Sequence, residues 1–322
     1  MKKFFIKICK LFGFEIIDQN EFTAPTLNKE LNEDLSILNK KSIVLPLGEV
    51  KITRKVKSIL IVIRVNTEIE VWDQNKRRLF EKPKIDYSIR SIKSLIKSIN
   101  LCQKKYSDLK IKTIFLDDSS AEENLEKIKQ IIKDVDSEII SLDTKKFETK
   151  IKKQKSQETF SNLASLFQSF EIGKKIGEDL IFFIEDDYLH FETMLDEMIS
   201  TYERVSSQVG KDIFMCPADY PYLYMNNEKT NILIGNKRHW RTINKTLCTF
   251  LTSKKLLDLY WENFSKNCED RHDPFEKYIN EIYKKEFCIS PLKSLSVHLT
   301  NVNSSYGLSP FINYKKLWDQ NK

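Results

Sequence analysis

Three adjacent carboxylates follow an apolar run in the middle of the chain. Glu185, Asp186 and Asp187 come directly after LIFFI, and like charges this close repel one another unless water or a bound cation screens them. Carboxylate oxygens suit Mg²⁺ or Mn²⁺, and these ions in turn hold phosphates. A solvated turn is the alternative, because Asp is common just after strands. We favour a metal site, since an apolar run that breaks directly into three acids is less ordinary.

A second acidic pair repeats this arrangement earlier in the chain. Asp117 and Asp118 end the apolar run IKTIFL and are followed by two serines. The pair fits a ligand-binding role, and it fits equally well an Asx turn or a cap for the helix expected next. Both interpretations stay open at this point.

Buried strands and amphipathic helices alternate along the part of the chain that carries both acidic clusters. SILIVI (from Ser58) and IKTIFL are apolar runs of strand length, typical of buried parallel strands, and EIISL (Glu138–Leu142), LIFFI and DIFMC add three more. Apolar residues recur at helical spacing between them, as in YSIRSIKSLIKSINLC and FSNLASLFQSFEIG. This alternation predicts an α/β fold with a mostly parallel central sheet flanked by helices. Chemistry in such sheets lies at the carboxyl ends of the strands, where both acidic clusters are expected.

The composition excludes several function classes. The chain has 322 residues, 41% hydrophobic and 31% charged, which is enough for one large or two ordinary domains. It contains only 7 Gly and neither GxxxxGK[ST] nor GxGxxG, so P-loop and dinucleotide-binding functions are not expected. The net charge of +7 is modest and spread along the chain, and no nucleic-acid partner is predicted. Six scattered cysteines without a CxxC pair fit a reducing, cytoplasmic compartment.

The first residues, MKKFFIKICKLFGFEII, form a basic and apolar segment that is too short to span a membrane. Two lysines interrupt its apolar run and no small-residue cleavage site follows, which argues against a secretory signal. Its apolar side chains fall on one helical face, with the lysines elsewhere. The segment is therefore either an interfacial helix in peripheral contact with anionic lipid or a helix packed on the main domain.

Five short motifs between about Ser58 and Asp219 occur in an order that resembles one enzyme family. SILIVIRVN ends like a PTYN segment, YSIRSIKSLIKSI is similar to the helix that follows it, FLDDSS is similar to a DDGS motif, SNLASL to a GN…A helix start, and FFIEDD to a DXD motif. Together they resemble the GT-A glycosyltransferases, and most closely the large inverting family that uses nucleotide-diphosphate sugars. Arg64-Val65 stand where that family usually has Thr-Tyr, and Ser119 stands where it has Gly.

The resemblance implies a donor pocket at the ends of the first strands. Asp118 would hydrogen-bond the nucleotide base, and Asp117 would support the same pocket. Asn66 and Asn162 belong to matched motifs and would help to bind the nucleotide sugar.

The resemblance also implies a divalent metal, Mg²⁺ or Mn²⁺. Asp187 would be the metal ligand that bridges to the diphosphate of the donor. Glu185 and Asp186 would act around the ribose, the sugar or metal-bound water. His298, in the alternating segment LKSLSVHLTN, would be a further metal ligand.

The acceptor side is expected in the second half of the chain. Trp240 and Arg241 would line the acceptor and sugar pocket, since Trp stacks on sugar faces and Arg pairs with phosphates or carboxylates; a core Trp and a surface Arg fit the sequence equally well. Glu269-Asp270 resembles the ED motif from which the family takes its general base, and we assign that role to Asp270. Asp273-Pro274 has the pattern of a helix N-cap followed by Pro at the first position.

We therefore predict a cytoplasmic GT-A glycosyltransferase that moves a sugar from a nucleotide-diphosphate donor to a glycan or lipid-linked acceptor with inversion. The predicted organisation is an N-terminal arm over 1–55, a GT-A domain over 56–300 and a C-terminal tail or lid over 301–322. A nucleotidyltransferase acting on sugar phosphates is the first alternative, although VIRVNTEIEV lacks the Gly- and Arg-rich loop that it normally needs. A non-catalytic interaction protein with a GT-A-like fold is the second.

Overall fold

A computed structural model describes residues 2–14, 16, 41–44, 48–68, 79–225, 229–299 and 306–322. The helices are α1 (Lys2–Leu11), α2 (Lys84–Lys105), α3 (Glu122–Ile132), α4 (Gln157–Ile176), α5 (Met194–Val209), α6 (Lys254–Leu259), α7 (Trp261–Cys268), α8 (Lys277–Ile282) and α9 (Tyr314–Asp319), with short 3-10 helices at Thr144–Phe147 and Pro221–Tyr224. The strands are β1 (Lys41–Val44), β2 (Gly48–Lys51), β3 (Ser58–Val65), β4 (Lys110–Asp117), β5 (Ser137–Ser141), β6 (Leu180–Glu185), β7 (Tyr188–His190), β8 (Phe214–Met215), β9 (Ile232–Ile234), β10 (His239–Ile243), β11 (Phe250–Ser253), β12 (Cys288–Leu292) and β13 (Ser296–His298).

The central element is a nine-stranded sheet in the order β5-β4-β3-β6-β11-β8-β12-β10-β9. The first four strands are parallel, and only β10 and β11 run against the direction of the rest. The predicted α/β class, with a mostly parallel sheet flanked by helices, is confirmed. The predicted strand EIISL is displaced by one residue, and the predicted strand in DIFMC is only two residues long.

Both faces of the sheet are buried, which explains why its strands are continuous apolar runs. In β3, Ile59, Ile61 and Ile63 belong to a core shared with α2 and α5, whereas Leu60 and Val62 belong to a core shared with α4, α7 and α8. β3 therefore packs against helices on both faces of the sheet, and it holds the loop that follows it in place.

A third, smaller core fixes the last part of the chain. β13 pairs antiparallel with β7, directly after the triple acid. Leu189 and Val297 of this pair pack with Leu317 and Trp318 of α9, and Arg90 of α2 lies over the Trp318 ring at 4.3 Å. The segment 306–322 is thus packed against the main body, and this packing holds β13 in place.

Much of the predicted N-terminal arm (1–55) lies outside the described residues, as do 301–305 of the predicted C-terminal tail. Within the described part of the arm, α1 forms at the position where the sequence predicts a helix. None of the described helices is both long enough and apolar enough to cross a membrane.

Candidate active site

The parallel register of β3, β4 and β6 brings both acidic clusters to one edge of the sheet. Val65 pairs with Asp117, and Arg64 pairs with Glu185. The N–H of Asp118 extends the ladder by donating to the carbonyl of Val65 at 2.8 Å. We call this the carboxylate edge; it comprises Asn66, Asp117, Asp118, Glu185, Asp186 and Asp187.

Arg64 links Glu185 to α4. Its Nη2 donates to Glu185 Oε1 at 2.6 Å, and its Nη1 donates to Asn162 Oδ1 at 2.7 Å and to Ser165 Oγ at 3.1 Å. Burial raises the pKa of Glu185, and the Arg64 guanidinium opposes that rise. Two expected donor-site residues, Asn162 and Glu185, are therefore held by one arginine.

Asp186 is buried and has its own cation. Lys84, at the first position of α2, donates to one carboxylate oxygen, while Ser88 Oγ (2.5 Å) and the N–H of Asn66 (3.3 Å) donate to the other. Asp186 therefore ties the loop after β3 to the first turns of α2.

Asp187 is joined to His298, which lies opposite Tyr188 on the paired strand β13. His298 Nε2 lies 3.2 Å from Asp187 Oδ2, and His298 Nδ1 donates to the carbonyl of Tyr306 at 3.0 Å. The imidazole stacks on the Tyr188 ring, with the ring centres 4.7 Å apart. Burial lowers the pKa of His298, but the charge and hydrogen bond of Asp187, the charge of Glu185 and the Tyr306 carbonyl together outweigh it, and the net shift is upward.

Asp117 and Asp118 are both buried beside the loop that follows β4. Asp117 accepts from the N–H of Ser120 at 3.3 Å, and burial raises its pKa. Asp118 accepts from Ser161 Oγ on α4 at 2.6 and 2.7 Å. Ser119 has a φ of 62°, so this chain adopts with serine the left-handed conformation that glycine adopts most easily.

A divalent metal fits this edge with two protein ligands. Among the described residues, no three His, Cys, Asp or Glu side chains form a ready-made metal cage. Asp187 and His298 nevertheless present a carboxylate oxygen and a ring nitrogen to the same point, and the Tyr306 carbonyl fixes the ring as carbonyls do for metal-binding histidines. Mg²⁺ commonly uses one or two carboxylates, with waters and phosphates completing its shell. Glu185 and Asp186 pair with Arg64 and Lys84, whereas Asp187 pairs with His298, so Asp187 is the acid of the three whose partner is itself a common metal ligand.

Glu269 and Asp270, the acids expected to supply the general base, follow α7 and contact the loop after Ile151. Asp270 Oδ1 accepts from Gln154 Nε2 at 3.2 Å, and Lys152 lies 3.4 Å from Oδ2. The hydrogen bond from Gln154 lowers the pKa of Asp270, and the carbonyl of Glu269 accepts from the N–H of Lys152. These contacts tie the pair to that loop and do not bring it to the carboxylate edge.

The predicted cap at Asp273 is wrong. α8 begins at Lys277, three residues later than Asp273-Pro274 indicates, and Glu276 occupies the N-cap position. Asp273 is exposed. The chain forms a turn first, closed by the N–H of Lys277 donating to the carbonyl of Pro274.

Glu276 is a buried carboxyl that the sequence analysis did not single out. Burial raises its pKa to about 8, and it interacts electrostatically with Glu185 and Arg64. Cys248 Sγ lies 3.7 Å from its Oε1. Its position three residues after Asp273, near an expected helix start, could have drawn attention to this glutamate. The Asp-Pro capping pattern directed the prediction to Asp273 instead.

Trp240 and Arg241 point to opposite faces of β10. Trp240 is fully buried in the core against α5, and its indole N–H donates to Glu197 at 3.3 Å, so no face of its ring is open to a sugar. Arg241 lies on the other face and forms a buried ion pair with Asp219 at 2.5 Å. The core interpretation of Trp240 therefore matches the structure.

Two cations of the site, Arg64 and Lys84, were also missed. Arg64 appeared only as a departure from the resembling motif, and Lys84 was not singled out. The available signal was a single arginine placed next to the end of an otherwise apolar strand, because a buried charge in such a position needs a partner.

No protein-family model matches the chain, and no curated protein matches it. Three similar solved structures are a UDP-glucose pyrophosphorylase complexed with UDP-glucose (12% identity, 73% of this chain and 90% of that chain, TM-score 0.37), the glycosyltransferase GlyE of Streptococcus pneumoniae TIGR4 (10% identity, 83% and 60%, TM-score 0.42) and the galactosyltransferase LgtC with donor and acceptor sugar analogues (12% identity, 71% and 66%, TM-score 0.33). At these identities and TM-scores the similarities carry no argument of their own.

Proposed function

We propose that the chain is a GT-A glycosyltransferase that binds a nucleotide-diphosphate sugar at the carboxylate edge. The observation that carries the proposal is the meeting of Asp117 and Asp118 with the Asp187–His298 pair at the ends of parallel strands, which is the place where α/β sheets bind ligands. The order of the motifs in the sequence supports the same assignment.

In this proposal each part of the donor has a place on the edge. Asp118, supported by Asp117, binds the base, and Asn66 and Asn162 line the pocket. Asp187 and His298 hold Mg²⁺ or Mn²⁺. When bound, that ion neutralises charge on the leaving diphosphate.

The two buried cations prepare the edge for this ligand. Arg64 and Lys84 hold Glu185 and Asp186 in position through ion pairs. Fixed dipoles and charges need no reorganisation when charge develops during a reaction. Glu185 and Asp186 therefore act as rigid acceptors around the ribose or sugar.

The proposed transfer proceeds with inversion to a glycan or lipid-linked acceptor, and Asp270 is the proposed base that removes the proton of the acceptor hydroxyl. Glu276 is the competing candidate, because its pKa of about 8 lies closer to neutral pH than that of an ordinary carboxyl. The conservative amide substitutions Asp270→Asn and Glu276→Gln test the two candidates separately.

The experiment that tests the function is a thermal-shift screen of nucleoside diphosphates and nucleotide sugars, each with and without Mn²⁺. A ligand that binds only the folded state stabilises it by about 2.7 kcal/mol at 100 times its dissociation constant. We expect one nucleotide family to raise the melting temperature, and to do so far more strongly with metal. A screen in which no nucleotide raises it contradicts the proposal.

One observation favours a non-catalytic ligand-binding protein as a second candidate. All three acids of the EDD motif already have a partner side chain from the chain itself, namely Arg64, Lys84 and His298. Nucleotide binding that does not depend on Mn²⁺, without release of nucleoside diphosphate across a panel of acceptors, would favour that candidate over the transferase.

We also propose that this cytoplasmic protein contacts an anionic membrane peripherally through α1. Phe4, Phe5 and Leu11 are 69%, 60% and 85% exposed, which agrees with an interfacial helix better than with a packed one. Lysines on the same helix would pair with acidic headgroups.

A further inference from the structure

A cavity of about 270 Å³ opens at the end of the sheet opposite the carboxylate edge. Its walls come from the start of β12, the end of β10 and the segment before β9. β8 and β12 run in the same direction as β3, β4 and β6, so their first residues lie at the opposite edge from Glu185. Its volume is near the lower end for small-molecule sites. The cavity is thus separate from the proposed donor site.

Positive charge dominates the lining of this cavity. The lining includes one acid, Glu286, and five cations, which are Lys211, Lys229, Arg241, Lys284 and Lys285. Lys211 pairs with Glu286 at 2.9 Å. Lys229, Lys284 and Lys285 are exposed and form no ion pair with any described residue. Three uncompensated charges therefore face one small volume.

Arg241 forms part of the inner wall and is only 6% exposed. Its Nη2 binds Asp219, and its Nη1 donates to the carbonyl of Leu223 at 3.3 Å. Its Nε has no acceptor within the described part of the chain. Both terminal nitrogens of Arg241 are thus already hydrogen-bonded within the protein. The guanidinium therefore cannot form the bidentate hydrogen bond that binds a carboxylate best.

The polar and apolar lining completes the site. Asn231 and Asn244 are exposed amide side chains at the rim, and Ile243 and Tyr283 are buried side chains in the wall. Amides offer donors and acceptors to hydroxyl groups. Lysine ammonium groups act as point charges and suit phosphate.

We propose that this cavity binds a phosphate-bearing small molecule, held by Lys229, Lys284 and Lys285 against the wall formed by Arg241. The phosphate is either free or carried on a sugar-like body whose hydroxyls meet Asn231 and Asn244. The site does not depend on the proposed transfer, because none of these residues belongs to the carboxylate edge.

The test is a calorimetric titration of the full chain with inorganic phosphate and with glucose 1-phosphate, at constant ionic strength. We compare the wild type with Lys284→Ala/Lys285→Ala and with the matched control Lys133→Ala/Lys175→Ala, which removes the same charge from exposed positions outside the cavity. Lys84→Ala reports on phosphate bound at the carboxylate edge instead.

We expect saturable binding that the Lys284/Lys285 variant weakens at least about tenfold and that the matched control leaves unchanged. A higher affinity for glucose 1-phosphate identifies a carried phosphate, and equal affinities identify free phosphate. The proposal is overturned if neither probe saturates, if the matched control weakens binding as much, or if Lys84→Ala alone removes it. Loss of binding in Lys84→Ala alone would contradict the cavity proposal but not the proposed donor site. Failure of nucleotide binding alone would contradict the donor site but not the cavity proposal.

Discussion

Arg64 and Glu185 lie directly opposite each other on the adjacent parallel strands β3 and β6, and their side chains form an ion pair of 2.6 Å at the edge of the sheet. The same guanidinium reaches Asn162 on α4. One side chain therefore joins two strands and a helix at the proposed donor site, and it does so from a position where the resembling family carries an uncharged residue.

Loss of this arginine should destabilise the fold. Arg64→Met leaves Glu185 without its partner, and we expect a loss of about 2 kcal/mol, below the roughly 3–5 kcal/mol of fully buried pairs because Glu185 is partly exposed. Urea unfolding measures the change. Glu185→Gln in the same chain should restore part of the loss, whereas Lys127→Met, which breaks an exposed pair on α3, should cost about 0.5 kcal/mol or less. Strict additivity of the Arg64 and Glu185 variants would show that the pair is not coupled.

Asp187→Asn should abolish metal-dependent nucleotide binding and transfer while the fold remains. The substitution removes the carboxylate that contacts His298, and the strand pairing around it is made by the backbone. Thermal shifts with nucleotide, recorded with and without Mn²⁺, measure the effect. Glu192→Gln removes an exposed acid outside the site and serves as the control. Unchanged Mn²⁺ dependence in Asp187→Asn would remove this residue from the metal site.

The two candidate bases can be separated by their amide variants. If Asp270 is the base, Asp270→Asn should reduce turnover by roughly 10²–10⁴-fold and leave donor binding intact, because a general base contributes about that much. Glu276→Gln should then leave turnover within a few-fold. The reverse result assigns the role to Glu276. Asp273→Ala should change neither turnover nor melting temperature, since Asp273 is exposed and caps no helix.

His190 should make the fold sensitive to acid. Burial lowers its pKa to about 3, so the folded state keeps the ring neutral while the unfolded state protonates it below about pH 6.5. The stability that this residue contributes is therefore complete above pH 6.5 and falls as the pH drops towards 3, by up to about 1.4 kcal/mol per pH unit. The difference between the wild type and His190→Gln, followed by urea unfolding from pH 7 to 5, isolates this contribution. Parallel pH profiles for the two chains would contradict the assignment.

The N-terminal helix should bring the protein to anionic vesicles. We expect co-sedimentation with phosphatidylserine-containing vesicles that high salt reverses, because lysine–headgroup attraction is screened by salt. Phe4→Ser/Phe5→Ser should weaken it through lost apolar burial. Phe311→Ser, at another exposed phenylalanine, should not. Equal sedimentation of all three chains would exclude α1 as the contact.

The strands that build the edge could be predicted because each is a continuous apolar run. β3, β4 and β6 are buried on both faces, and parallel strands bring their carboxyl ends together, so the proximity of Asp117 to Glu185 follows from pattern alone. The far half of the sheet was harder to predict, since β8 and β9 are only two and three residues long.

The contacts that the site cations make could not be predicted, because their partners are distant in sequence. Lys84 and Asp186 are 102 residues apart, and the contact exists only after α2 packs beside β6. A local pattern likewise placed a cap at Asp273, but Glu276 is the residue buried at the start of α8. Local propensity gives way where tertiary contacts can bury a whole side chain.

The pairing of β13 with β7 sets the order in which the proposed metal site can be assembled. Asp187 follows β6, whereas His298 arrives 111 residues later on a strand that is held in turn by α9. As the chain emerges from the ribosome, the parallel strands can collapse around α2 and α4 long before the imidazole is available. A nascent chain therefore passes through a stage in which the parallel strands β3, β4, β5 and β6 are paired and the site is incomplete, and binding competence comes only after β13 and α9 have been translated.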